Sequence, residues 1–148
     1  MMLFEVFIFI TVISIKVSSD DGGWKKYKDH SYKAFDGQLN FCKAEEECNK
    51  MNANLASIHS DGEENFIVDL LKKLKTKQKI AWIGMYRKPG TKWGWTDDTK
   101  IDYNLWNQGE PNNLLHKEYC VWMFTGTHKV GKWNDDLCRI KGNYVCKK

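Results

Sequence analysis

The chain has 148 residues, of which 42% are hydrophobic and 14% aromatic, and its formal net charge is +4. This length suits one domain and excludes a barrel enzyme of about 250 residues. The apolar content excludes a disordered chain, and the charge is too small to indicate nucleic-acid binding. The five cysteines are an odd number, so at least one has no partner in its own chain.

The first residues are typical of a targeting signal. The apolar run Val6–Ile15 is too short to span a bilayer as a helix, which needs about 20 residues. It fits a secretory signal peptide cleaved after Val17-Ser18-Ser19, although a buried N-terminal strand is the alternative. We expect residues 1–19 to be removed and residues 20–148 to form a secreted, extracellular domain. We expect no membrane span, and a compartment where disulfides persist.

Strands and two helices follow in chain order. The aromatic stretch from Trp24 to Phe35 predicts one or two short strands. Apolar residues at helical spacing predict an amphipathic helix within Leu39–Met51. Ser60 and Glu63 form a capping-box signature, and the apolar stripe after them predicts a second helix that ends near Lys75. Further strands are predicted at Ile80–Gly84, Tyr119–Phe124, Trp133 and Tyr144–Cys146. This order predicts an α+β domain.

The segment from Tyr86 to Lys117 is mostly loop, and a loop of this length in a compact domain needs a functional reason. The candidate ligands in and after it are carboxylates and amides: Glu110, Asn112, Glu118, Asn134 and Asp135. Such oxygen ligands suit Ca²⁺, and with the Asp135 carbonyl they supply about six oxygens, which leaves room for two from a ligand. Pro111 permits a cis bond that would turn both flanking side chains toward one ion.

The cysteines allow several pairings. A Cys120–Cys138 bridge would hold the last two candidate ligands near Glu118, and a Cys48–Cys146 bridge would join the first helix to the last strand. Spacing alone leaves this open, because four cysteines allow three pairings. Cys42 lies about 120° from Cys48 on an ideal helix, so these two should not bond. Cys42 is then a free thiol in a monomer or the interchain bridge of a dimer.

The order and spacing of these motifs resemble a C-type lectin domain. The matching motifs are Phe41-x-x-Ala44-x-x-x-Cys48, Leu55-Ala56-Ser57-Ile58, Trp82-Ile83-Gly84, Glu110-Pro111-Asn112, Glu118-x-Cys120, Trp133-Asn134-Asp135-x-x-Cys138 and Cys146. The resemblance implies two helices flanking small antiparallel sheets, a long Ca²⁺-binding loop, and the disulfides Cys48–Cys146 and Cys120–Cys138. It also implies that sugar hydroxyls ligate the ion directly beside Glu110, Asn112, Glu118, Asn134 and Asp135.

Within that family, Glu-Pro-Asn is the triplet associated with mannose, fucose and N-acetylglucosamine. Many members build a second Ca²⁺ site from acids soon after the Trp-Ile-Gly strand. Here Met85–Lys92 carries three cations and no acid, and Asn113 is neutral where an acid is often found. The resemblance therefore implies one Ca²⁺ site and partners that carry terminal mannose-type sugars.

Two other binding functions are open. One is a lectin-like module that binds protein, and the other is a Ca²⁺-independent binder of anionic glycans through Lys72, Lys73, Lys75, Lys77 and Lys79. Lysines also favour a helix C-terminus, so a solvated helix end is the favoured interpretation of this cluster. An enzyme is not expected. A glycosidase pair drawn from Glu110, Glu118 and Asp135 needs one acid kept protonated, whereas a divalent cation favours ionisation.

Overall fold

The computed structural model describes residues 22–148, so the expected signal peptide at residues 1–19 lies outside the described residues. No helix in residues 22–148 is both long and apolar enough to cross a bilayer. The helices are α1 (Phe41–Asn49) and α2 (Asp61–Lys72), with one 3₁₀ turn at Leu114–His116. The strands are β1 (Lys25–Tyr27), β2 (His30–Leu39), β3 (Asn54–Leu55), β4 (Ile80–Tyr86), β5 (Gly94–Trp95), β6 (Cys120–Phe124), β7 (Trp133–Asp136) and β8 (Gly142–Lys147).

The strands form one hydrogen-bonded network in the order β1-β2-β8-β4-β6-β7, with β3 paired to β8 and β5 paired to β4. The pairing of β4 with β8 is parallel, and the other strand pairs are antiparallel. The α+β class is confirmed. The structure has one sheet with a parallel strand pair at its centre, whereas several small antiparallel sheets were expected. The reason is that β8 lies between β2 and β4 and joins the N-terminal strands to those that end near the long loop.

Local sequence explains where the helices begin. The side chain of Asn40 accepts the Lys43 N–H (2.9 Å) at the start of α1, and the Ser60 hydroxyl accepts the Glu63 N–H (3.3 Å) at the start of α2. The predicted capping box is only half formed. The Glu63 carboxylate accepts the His59 N–H (2.8 Å) and pairs with buried Lys147 of β8 (2.7 Å) instead of returning to Ser60. Helix α1 lies within the predicted segment, and α2 ends at Lys72, slightly before the predicted end near Lys75.

Two disulfides connect the layers. Cys48–Cys146 joins α1 to β8, and Cys120–Cys138 joins β6 to the segment after β7, as the family resemblance implied. Cys42 is exposed on α1 and takes part in neither bridge, which agrees with its angular separation from Cys48. The second bridge lies nearest the candidate ligands, because it joins the start of β6 to the segment that follows β7.

Tryptophan rings attach the long loop to the core. Trp133 of β7 is completely buried, and its ring packs edge-on against Trp95 (5.7 Å between centroids) and Trp106 (5.9 Å). Trp106 in turn packs against Trp93 at 5.5 Å. These contacts anchor the polar segment to the core, and such ring pairs add stability beyond the area they bury.

A buried carboxyl group supports the same tryptophan. The Trp133 Nε1–H donates to Oε2 of Glu64 (3.0 Å), a residue of α2 that is only 2% exposed. The other carboxyl oxygen, Oε1, has no hydrogen-bond partner within residues 22–148. Burial raises the pKa of Glu64 to about 8. The group is therefore protonated in the folded protein at pH 7, whereas an unfolded chain would ionise it.

We predict that Glu64 makes stability fall between about pH 4.5 and pH 8. In this window the unfolded chain has lost the Glu64 proton and the folded chain still holds it, so raising the pH favours unfolding. Replacing it with glutamine (Glu64→Gln) should remove on the order of a few kcal/mol of this pH dependence. Denaturant unfolding from pH 4 to pH 8 measures it. The exposed control Glu46→Gln should keep the wild-type slope, and an unchanged slope in Glu64→Gln would contradict the assignment.

Candidate functional site

The candidate ligands meet where the long loop passes over β6 and β7. These two strands pair so that Val121 faces Asp135 and Trp122 faces Asn134. The loop joins the start of β7 through backbone hydrogen bonds from Trp133 to Leu105 and from Asn107 to Trp133 (both 2.9 Å). The strands thus supply two of the five residues, and the loop that follows Asn107 supplies the others.

Asp135 organises the loop around itself. Its side chain is completely buried, and its two carboxylate oxygens accept the backbone N–H groups of Asn112 (3.0 Å) and Asn113 (2.9 Å). Backbone donors of this kind satisfy a buried carboxylate that would otherwise be costly to remove from water. The position of Asp135 on β7 therefore fixes the path of the loop.

Glu110 and Asn112 lie on either side of a cis Glu110–Pro111 peptide bond, the isomer that the sequence suggested. The Glu110 carboxylate accepts both the backbone N–H and the side-chain amide N–H of Asn112 (both 3.1 Å). Burial raises the pKa of Glu110, and the adjacent Asp135 carboxyl group raises it further. Two acidic groups are thus held side by side.

Glu118 forms the third acidic member. It is buried, its carboxylate accepts the Leu114 N–H (2.7 Å), and its own N–H donates to the side-chain oxygen of Asn113 (3.2 Å). Burial raises the pKa of Glu118, and the negative charge of Asp135 adds to the effect. The fifth residue, Asn134, donates its amide N–H to the backbone carbonyl of Asp135 (2.5 Å).

Hydrogen bonds and charge interactions connect Glu110, Asn112, Glu118 and Asp135, and Asn134 lies next to Asp135 on β7. Their donor chemistry, carboxylate and amide oxygens, fits calcium. None of the ion pairs in the described part of the chain involves Glu110, Glu118 or Asp135, so a cation has unbalanced negative charge to bind. Among these same described residues, however, no group of three or more His, Cys, Asp or Glu side chains is arranged to hold a metal ion. The carboxylates accept N–H groups of the loop instead.

Two residues near the site were missed by the sequence reasoning. Asn113 contacts both Asp135 and Glu118, and it was noted only for lacking a charge. The guanidinium of Arg87 lies over the Trp93 ring (4.5 Å) and donates to the Glu118 carbonyl (3.4 Å). No local signal marks Arg87, because Glu118, its hydrogen-bond partner, is distant in sequence. This hydrogen bond holds the backbone at Glu118, just before β6 begins.

One histidine, His59, is partly buried. Its ring contacts Asp102 through Nδ1 (2.7 Å) and the Thr99 hydroxyl through Nε2 (3.2 Å). This pins the first half of the long loop to the start of α2. His59 therefore positions the loop at a point away from the candidate ligands.

The lysine cluster is separate from this site. Its five lysines (Lys72, Lys73, Lys75, Lys77 and Lys79) are exposed at and after the end of α2, next to Ile80 at the start of β4. In the pairing of β4 with β6, Ile80 faces Phe124, whereas Tyr86 at the far end of β4 faces Cys120. Glu118 precedes Cys120, so the lysines and the acidic residues lie near opposite ends of the same strand pair.

The fold and the acidic site together define a lectin-like α+β domain with a polar loop held over a disulfide-linked strand pair. A family model described as the lectin C-type domain matches residues 37–148. The chain belongs to this family, which confirms the resemblance drawn from its motifs. Family membership alone leaves both the sugar and the metal requirement open.

Known relatives differ in what their names state. The galactose-specific lectin nattectin of Thalassophryne nattereri is 32% identical over 155 residues, covering 98% of this chain and 95% of nattectin. A mannose-binding C-type lectin isoform of Notechis scutatus scutatus is 36% identical over 129 residues, covering 83% and 79%. A calcium-independent type II antifreeze protein has a similar structure, with a TM-score of 0.74, 29% identity, and coverage of 86% and 92%.

We predict that replacing the central carboxylate (Asp135→Ala) loosens the loop even without metal. Two backbone N–H groups lose their acceptor, which should lower stability by about 1–3 kcal/mol. Hydrogen exchange in EDTA should show the amides of Asn112 and Asn113 exchanging roughly tenfold faster or more. The control Asp102→Ala, in the same loop but bound to His59, should leave those two amides protected. Equal protection in Asp135→Ala would show that other contacts hold the loop.

Proposed function

We propose that this protein is a secreted, calcium-dependent lectin for mannose-type sugars. The observation that carries the proposal is the convergence of three carboxylates and two amides: Glu110, Asn112, Glu118, Asn134 and Asp135. They hold three formal negative charges without an ion pair among the described residues. The two disulfides support an oxidising compartment and, with it, removal of residues 1–19 as a signal peptide.

The proposed roles follow from side-chain chemistry. Carboxylates only accept hydrogen bonds, whereas an amide both donates and accepts. Glu110 and Glu118 would accept from sugar hydroxyls, while Asn112 and Asn134 would donate to them. A bound Ca²⁺ would supply direct coordination of two neighbouring hydroxyl oxygens. Asp135 would contribute charge and keep the loop in place through its backbone contacts.

Two features favour mannose-type sugars and one site. The triplet runs acid, proline, amide from Glu110 to Asn112, the order that the resemblance associates with mannose-type ligands. The mannose-binding relative supports this reading, although the galactose-specific relative makes galactose the necessary comparison. Arg87, which lies in the stretch where a second calcium site would need acids, stacks on Trp93 instead. We therefore propose a single ion.

Valency is a second part of the proposal. A single monosaccharide makes few contacts, so affinity per site should be weak and useful binding should require several sites. Cys42 is exposed on α1, where an interchain disulfide would join two domains. Non-reducing electrophoresis of wild type and Cys42→Ala distinguishes this dimer from a monomer with a free thiol.

We predict calcium-dependent retention on mannan-agarose. The wild-type protein should be retained in millimolar Ca²⁺ and eluted by EDTA or free mannose, with free galactose much less effective. Asn134→Ala should abolish retention, because it removes an amide oxygen and a hydrogen-bond donor from the site. Asn65→Ala, at an exposed position of α2, is the matched amide control and should behave as wild type.

The alternatives give different results on the same column. Elution by galactose in preference to mannose would reverse the sugar assignment. EDTA-resistant retention that disappears in moderate salt would favour the lysine cluster after α2, because exposed charges are screened by salt. Retention of Asn134→Ala in Ca²⁺ would place the sugar elsewhere. Failure of the wild type to bind under any condition would favour the protein-binding module.

We also predict that Ca²⁺ raises the melting temperature of the protein. A ligand that binds only the folded state stabilises by RT ln(1 + [L]/Kd), about 2.7 kcal/mol at a hundredfold excess over Kd. Differential scanning fluorimetry with Ca²⁺ against EDTA measures the shift. Glu110→Gln should lose it, because one charge leaves the site. Asp98→Asn, a conservative change at a loop position with positive φ, is the control that should keep it.

A further inference from the structure

Two consecutive leucines are exposed beside the candidate site. Leu114 is 60% exposed and Leu115 is 76% exposed, and within residues 22–148 they are the large apolar side chains that the fold leaves in solvent. A single exposed leucine needs no explanation, but adjacent ones at the edge of a binding site form a candidate contact surface. They directly follow the Glu-Pro-Asn triplet and Asn113 in the chain.

These leucines form one wall of a groove. With Leu137 they line a cavity of about 320 Å³, and the remaining lining residues are Lys117, Glu118 and Arg139. Glu118 is also one of the five candidate ligands, so the groove is continuous with the proposed sugar site. Lysine and arginine present apolar stems while their charged ends stay in water, which extends the apolar lining.

The leucine wall is held in an unusual backbone conformation. Asn113, Leu115 and His116 have positive φ angles of 49°, 54° and 56°. This region is unfavourable for a leucine, and residues held in it cluster at ligand-binding segments. The Leu114 N–H donates to the Glu118 carboxylate, and the Glu118 N–H donates to Asn113. The turn is thus closed on itself with both leucines outward.

Leu137 forms the opposite wall of the groove, and it is held close to Glu118. Leu137 immediately precedes Cys138, which is bonded to Cys120, and Cys120 lies two residues after Glu118. The Leu137 N–H also donates to the Asp136 side chain (2.7 Å). Both walls are therefore anchored beside Glu118. The groove is therefore formed by segments that the ends of β6 and β7 hold in place.

We infer that this groove binds the apolar aglycone or acyl group of a glycoside whose sugar occupies the adjacent site, an inference that rests on the proposed function. The volume suits a group of several carbons. A protein partner or second copy would need about 800 Å² of contact per side, far more than two leucines offer. The shared wall at Glu118 favours an apolar group carried by the bound sugar itself, as in a glycolipid.

Competition with short glycosides on mannan-agarose tests this inference. We expect n-octyl α-mannoside, below its micelle concentration, to compete on the order of tenfold better than methyl α-mannoside, because burying about two methylenes in the open groove has that effect. Leu115→Asn should bring the two glycosides to within about twofold while leaving methyl α-mannoside unchanged. Asparagine tolerates positive φ better than leucine, so the turn should survive. Leu115→Met should keep the preference.

The outcomes separate this inference from the proposed function. If both mannosides compete equally against wild type, the groove inference fails while the lectin function stands. If neither competes, the lectin function fails and the groove inference falls with it. If n-octyl α-galactoside competes as well as the octyl mannoside and EDTA has no effect, the groove binds alkyl chains by itself, which overturns its assignment to a sugar-linked group. A preference that persists in Leu115→Asn also overturns it.

Discussion

The buried carboxylate of Asp135 is the interaction on which the shape of the site depends. It belongs to β7, a strand held by β6 on one side, yet its oxygens accept N–H groups from the long loop at Asn112 and Asn113. A buried carboxylate needs such donors, and a long polar loop needs a fixed point. The loop supplies the donors that the carboxylate needs, and the carboxylate supplies the fixed point that the loop needs.

The rest of the fold keeps that strand in place. The Cys120–Cys138 bridge closes the segment around β7, and Trp133 at its start is packed between loop tryptophans and the Glu64 carboxyl group of α2. The central position of β8 connects this half of the sheet to the N-terminal strands. Binding residues on a loop that a rigid scaffold positions are a common arrangement in proteins, because the loop can vary while the scaffold stays constant.

The relatives illustrate why fold and function must be argued separately here. Proteins named for galactose binding, mannose binding and calcium-independent antifreeze activity share this sequence family or architecture. Function therefore depends on the side chains at the site. In this chain those side chains are three acids without ion-pair partners in the described region, with an apolar groove against one of them. The unpaired negative charge supports the proposed cation, and the groove extends the surface beside it.

By itself, the sequence determined both helices, most strands, the residue types of the site and, through family resemblance, the two disulfides. The helices, the strands and the residue types follow from periodicity and local motifs, which act over a few residues. Only the tertiary structure decided that β4 and β8 pair in parallel, that Glu63 binds Lys147 instead of completing its capping box, and that Glu64 lies beneath Trp133. It also decided that Leu114 and Leu115 face solvent across from Leu137. Each of these contacts joins residues far apart in the chain, where burial and electrostatics outweigh local preference.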